Sequence, residues 1–210
     1  MAEINYSIIL IAAFLSLASP GPATLSIAAV SMNQGRLHGF MLANGIATGG
    51  ILWSSAAAFG FSAIMYTNVW LFELMRYLGA CYLLFLAYNS ARSAIKNTDF
   101  EIHETRGNTI SSTYSKGLLL QLTNPKIILF FGSLYAVAVP SGVDAGALVS
   151  VILAISFQSI LLFYLLVFLF STTKFRDIYI GLRRSFDAIF AAFFIFAGFK
   201  LLTSKLGENQ

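Results

Sequence analysis

The chain has 210 residues, 58% of them hydrophobic and 10% charged, with a formal net charge of +4. Soluble domains average about 25% charged residues, so a soluble enzyme or regulator is excluded and an integral membrane protein is expected. The positive balance does not mark a nucleic-acid binder, because the Lys and Arg residues sit in a few short polar segments, as membrane topology requires.

A membrane span needs about 20 predominantly apolar residues, and six segments qualify: 6–32, 39–65, 71–93, 114–139, 145–171 and 186–203. The N-terminus "MAEIN" carries Glu3 and no basic residue, unlike the basic start of a signal peptide. The first segment is therefore expected to stay as a helix. It is interrupted at Pro20-Gly21-Pro22. The third span opens with Glu73 and Arg76, three apart and able to pair on one helix face. The polar stretch 95–113 reads as a loop. The fourth span is broken at Asn124-Pro125, and the fifth carries no charge. Strand-type alternation is lacking, which argues against a β-barrel. The lone cysteine, Cys81, can form no internal disulfide.

Basic residues set the orientation. The connections between spans 1–2, 3–4 and 5–6 hold Arg36, then Arg92, Lys96, Arg106 and Lys116, then Lys174, Arg176, Arg183 and Arg184. The connections 2–3 and 4–5 hold none. The basic loops are expected in the cytoplasm, with both termini outside.

Six spans divide into three and three. Residues 1–94 form a first three-helix repeat, 95–113 a cytoplasmic polar loop, and 114–210 a second repeat. An odd number of spans per half makes the second repeat inverted. Pro22 and Pro125 then occupy corresponding places. Paired proline-interrupted spans are the best sequence pointer to a transporter binding site. Each break lies about ten residues from the cytoplasmic end of its span, roughly 15 Å at 1.5 Å per residue. That is near the midplane of a hydrocarbon core about 30 Å thick.

Proline is favoured at the first position of a helix, after a cap such as Asn or Gly. Gly21-Pro22 and Asn124-Pro125 thus read as starts of half-helices whose free N–H groups suit an anion. Lys126 adds a full positive charge. Upstream, the carbonyls around Leu17, Ala18 and Thr123 are freed and suit an ammonium, a proton donor or a cation. Gly21, Pro22, Asn124, Pro125 and Lys126 are therefore the candidate substrate-binding residues, and a zwitterion such as an amino acid matches both kinds of end. The competing reading is that these prolines simply kink their helices while neighbours re-satisfy the backbone, with Lys126 snorkelling to the interface.

Asn44, Thr48 and Gln158 lie in otherwise apolar helices. They suit either the substrate path or hydrogen bonding between helices. Gly45 and Gly49 form a GxxxG pattern that permits close packing within or between subunits. Trp53 reads as a packing residue and Trp70 as an interfacial one.

Three stretches carry a family resemblance: "SPGPATLSIAAVSMNQGRLHGFMLANGIATG", "RYLGACYLLFLAYNSARSA" and "GLLLQLTNPKIILFFGSL". Together they resemble the LysE/RhtB family of bacterial amino-acid exporters over nearly the whole chain. The resemblance implies an exporter in the cytoplasmic (inner) membrane, driven by the proton motive force and often dimeric. Many members have an acidic residue in span two after the position of Gly49, where this chain has Gly50. Asp187, opening span six, looks like the family's acid there, but the basic residue that often follows is Ala188. Asp187 is either a coupling group or a carboxylate favoured by its helix N-terminus.

The expected function is a secondary exporter of amino acids or related small zwitterions, with a proton as coupling ion and no other cofactor. Metal or inorganic-ion export is the first alternative. A divalent cation needs oxygen, nitrogen or sulfur ligands, which the spans scarcely offer, and no metal-binding residues are assigned. A membrane protein without transport activity is the second alternative. An enzyme is not expected: His38 and His103 fall in or beside loops, and no acid pair or Gly-x-Ser-x-Gly occurs, so no catalytic residue is assigned.

Overall fold

The computed structural model describes residues 4–18, 21–67, 69–95, 109–140 and 143–172, with scattered positions between 185 and 202. Most of the polar loop, the basic cluster from Lys174 to Arg184, His103 and Asp187 lie outside the described residues, as do the side chains of Glu73 and Arg76.

All regular structure among the described residues is helical. Seven helices follow in chain order: α1 (Tyr6–Ala18), α2 (Pro22–Asn33), α3 (Arg36–Thr67), α4 (Val69–Ile95), α5 (Ile110–Leu122), α6 (Pro125–Ala138) and α7 (Ala145–Phe170). By length and composition, α7 can cross a membrane alone. The pairs α1–α2 and α5–α6 meet the same test together, bent by 54° and 55° at their breaks. The four half-helices are 13, 12, 13 and 14 residues long, about 18–21 Å each at 1.5 Å per residue.

The boundary of the polar loop needs correction. Helix α5 starts at Ile110, so the stretch 110–113 is helical and not loop. The Thr109 side chain accepts a hydrogen bond from the Ser112 N–H, and the Thr113 hydroxyl donates to the Thr109 carbonyl. Polar residues that read as a loop are thus the capped first turn of a helix, where Ser and Thr are favoured.

Helix α7 shows which faces meet protein. Val151, Ile155, Leu162, Phe163 and Val167 are buried, while Leu153 and Phe157 are 63% and 67% exposed and Leu161, Leu165 and Phe168 lie about half open. A helix apolar on both faces suits a protein on one side and lipid on the other.

Glycine sets two close approaches. Gly35 has φ +84°, a left-handed conformation that L side chains rarely adopt, and it turns the chain from α2 into α3. Gly39 follows where any Cβ would overlap the Ser31 hydroxyl. The first and last glycines of the Gly-Arg-x-x-Gly turn thus have separate backbone and steric reasons. The second approach joins α3 to α5: a Cβ on Gly45 would overlap the Tyr114 carbonyl, and one on Gly117 the Leu42 carbonyl. The GxxxG of α3 therefore serves packing within this chain.

Gly117→Val should disrupt the α3–α5 contact by at least the ~1–3 kcal/mol typical of overpacking. Gly60, which has open space around it, should accept alanine without loss. Thermal unfolding of the detergent-solubilised protein reads both.

Candidate functional site

Helix α2 begins at Pro22, with Gly21 before it in an extended conformation. The Gly21 N–H donates to Thr24 Oγ1 at 3.1 Å, so the third residue of the helix reaches back to its cap. Gly21 itself has no side chain to give to the first turn. The second break is capped differently: the Asn124 side chain accepts from the Lys126 N–H at 3.1 Å, with Pro125 at the helix start. Both Gly-Pro and Asn-Pro therefore start new helices, but only α6 has a side-chain cap on its N–H groups.

The carbonyl ends come next. Breaking a helix frees its last four carbonyls, which is costly in an apolar medium. The Lys126 ammonium donates to the Ser16 carbonyl at 2.9 Å. A cation at the negative end of α1 is favoured by the helix dipole, and this bond ties one break directly to the other. At the second break the Trp53 indole donates to the Leu122 carbonyl at 3.2 Å. The Thr123 hydroxyl and N–H both go to Leu119. Freed carbonyls were expected near Leu17, Ala18 and Thr123. The adjoining Ser16 and Leu122 carbonyls are instead engaged by side chains of the protein itself.

A cleft lies between the breaks. Ser16, Gly21, Pro22, Gln121, Asn124 and Lys126 line it. A second chamber adjoins it and shares Leu17, Gln121 and Phe163 with the first. Gln121 and Ser16 are each 1% exposed. The Gln121 side-chain oxygen and the Ser16 hydroxyl have no hydrogen-bond partner. Sequence reasoning missed both residues. Gln121 sits among leucines in "GLLLQLTNPK", three positions before Asn124, and its placement near a helix break was the available signal. Trp53 was also missed as a donor, although a buried indole N–H usually finds an acceptor.

Of the expected site residues, Gly21, Pro22, Asn124 and Lys126 come together around this cleft, and the Pro125 backbone lies between the last two. Asn44 and Thr48 do not line it. The Tyr164 hydroxyl donates to Asn44 Oδ1 at 2.8 Å and the Tyr114 hydroxyl to Thr48 Oγ1 at 3.0 Å, joining α3 to α7 and α5. Gln158 donates to the Leu10 carbonyl at 3.1 Å, joining α7 to α1. Gly50 lines the second chamber, and a Cβ there would lie 3.6 Å from the Gln121 side-chain nitrogen. An acid at this position would thus stand beside the Gln121 amide.

The family model described as LysE type translocator matches residues 14–205. The chain is similar to the threonine efflux protein of Salmonella typhi, 28% identical over 193 residues, which covers 91% of this chain and 94% of that protein. The threonine efflux protein of Escherichia coli K12 shows the same identity and coverage. A leucine efflux protein of Enterobacter sp. (strain 638) is 30% identical over 168 residues, 80% of this chain and 79% of its own. No solved structure matches.

Asn124→Ala should lower stability by about 0.5–2 kcal/mol, the worth of a helix cap, and Asn124→Asp should largely keep it. Ser16→Ala should leave stability unchanged, because Lys126 binds the Ser16 backbone and not its hydroxyl. Thermal unfolding in detergent compares the three.

Proposed function

Because the chain belongs to the LysE type translocator family, we propose that it is a secondary exporter of amino acids or closely related small zwitterions. The efflux proteins it resembles are named for threonine and leucine. The observation that carries the reading is the Lys126–Ser16 hydrogen bond, which brings a fixed cation and two helix breaks to one cleft.

In this reading the protein lies in the bacterial inner membrane with its basic loops in the cytoplasm and both termini outside. Its six spans form two inverted three-helix repeats, α1–α2 and α5–α6 being the broken ones, with 95–109 linking the halves. The substrate carboxylate binds at the start of α2, beside Lys126. It competes with the Ser16 carbonyl for the ammonium, so binding loosens the tie between the halves and lets them rock about the site. A ligand can shift such an equilibrium only through contacts that differ between the two states, and this exchange of partners is one. A metal cation as cargo is disfavoured, because the Lys126 ammonium would repel it.

Proton coupling suffices energetically. One charge moved through 100 mV supplies about 2.3 kcal/mol, and each tenfold gradient needs about 1.4 kcal/mol. One proton per substrate thus sustains a gradient of tens-fold. Asp187 is the candidate proton carrier, and a homodimer is the proposed assembly.

In proteoliposomes with an imposed proton gradient, the wild-type protein should move a subset of labelled amino acids. Lys126→Ala should abolish this flux while still inserting, and Pro22→Ala should reduce it. Normal flux in Lys126→Ala would remove the role given to that residue. No movement of any amino acid by correctly inserted protein would overturn the exporter reading.

A further inference from the structure

We infer that Gln121 and Ser16 form the ammonium-binding pair of the cleft, and that the substrate's side chain lies in the chamber beside the Gln121 amide. This rests on the exporter reading and extends it to a substrate class: α-amino acids with an apolar side chain.

Buried polar atoms are nearly always hydrogen-bonded. Here the Gln121 side-chain oxygen and the Ser16 hydroxyl, both buried, lack any partner and line the same cleft. An amide oxygen can only accept, and a hydroxyl can accept as well as donate. A partner offering at least two donors within a small space, as an ammonium does, satisfies both at once. The same cleft holds the Lys126 ammonium and the start of α2, the groups that suit a carboxylate. Two backbone carbonyls at the broken ends already have donors: Ser16 from Lys126 and Leu122 from Trp53.

The second chamber decides the side chain. Its walls are Leu17, Ala47, Ile51, Phe131, Ile155 and Phe163. Its hydroxyls are already engaged: Ser54 with Tyr135 at 2.9 Å, Ser156 with the Ile152 carbonyl at 2.6 Å, and Ser159 with the Ile155 carbonyl at 2.7 Å. Most of the remaining surface is apolar, so a charged or amide side chain would find few partners there. Gly50 leaves the wall beside the Gln121 amide open, and side-chain bulk there would narrow the chamber.

The test compares leucine with 2-hydroxy-4-methylpentanoate, which keeps the carboxylate and the side chain and replaces the ammonium by a hydroxyl. Both compete with labelled substrate in proteoliposomes, and the ratio of their inhibition constants is read. The wild-type ratio should favour leucine by about ten- to a hundredfold, the range of a hydrogen bond to a charged group. Gln121→Met, of similar length but without the amide oxygen, should bring the ratio to within about threefold of parity, and Gln121→Glu should restore the preference. Where Gln121→Met does not insert, Ser16→Ala reads the same ratio and should lower it. Gly50→Leu should weaken leucine at least about tenfold relative to alanine, while keeping the preference for alanine over lactate. An unchanged ratio in Gln121→Met and Ser16→Ala, in protein whose flux still depends on Lys126, would overturn this inference alone and assign the two groups to water. Absence of all amino-acid flux in the wild type would overturn the exporter reading with it.

Discussion

A helix interrupted inside an apolar layer must satisfy the backbone groups that the interruption frees, and the rest of the site follows from how this is done. The Lys126 ammonium donates to the Ser16 carbonyl, so the second break supplies the donor that the first one lacks. A single charged side chain fixes the end of α1 against the start of α6 and answers the negative end of the α1 dipole. The same logic recurs with a neutral donor at the end of α5, where Trp53 reaches the Leu122 carbonyl. Each break thus has a freed carbonyl bonded to a side chain from elsewhere in the chain.

These contacts need α3 and α5 to lie unusually close. Gly45, Gly49 and Gly117 allow it, because their missing side chains let the two backbones meet. A Cβ on Gly49 would come within 2.8 Å of Gln121 Cβ, so the position of Gln121 in the cleft depends on that glycine. Small residues commonly let helices approach in membranes; here the approach also aims a polar side chain. Around this contact, Tyr114 and Tyr164 hold Thr48 and Asn44, and Ser54 and Tyr135 link α3 to α6. Helix α3 thus serves as the spine against which the broken spans are set.

The two breaks differ in a way that gives the cleft its polarity. Asn124 caps α6, whereas Gly21 gives α2 no side-chain cap. The start of α2, the Lys126 ammonium and the buried side chains of Ser16 and Gln121 all line the same cleft. That arrangement is the basis for proposing a zwitterion as the substrate.

The sequence by itself determined the helical class, the membrane setting and the location of both breaks. These depend on composition and on proline, whose missing N–H acts wherever the chain runs. It also singled out Lys126, because a charge in an apolar span is conspicuous without any structure. The start of α5 escaped, since capping Ser and Thr residues look like loop until their hydrogen bonds are seen. Only the tertiary structure decided that the Ser16 carbonyl belongs to Lys126, that Asn44 and Thr48 bind tyrosines, and that Gln121 and Ser16 lack partners. Those facts depend on which helix faces meet. Residues far apart in the chain, such as Ser16 and Lys126 or Trp53 and Leu122, share a hydrogen bond only once packing has brought their helices into register.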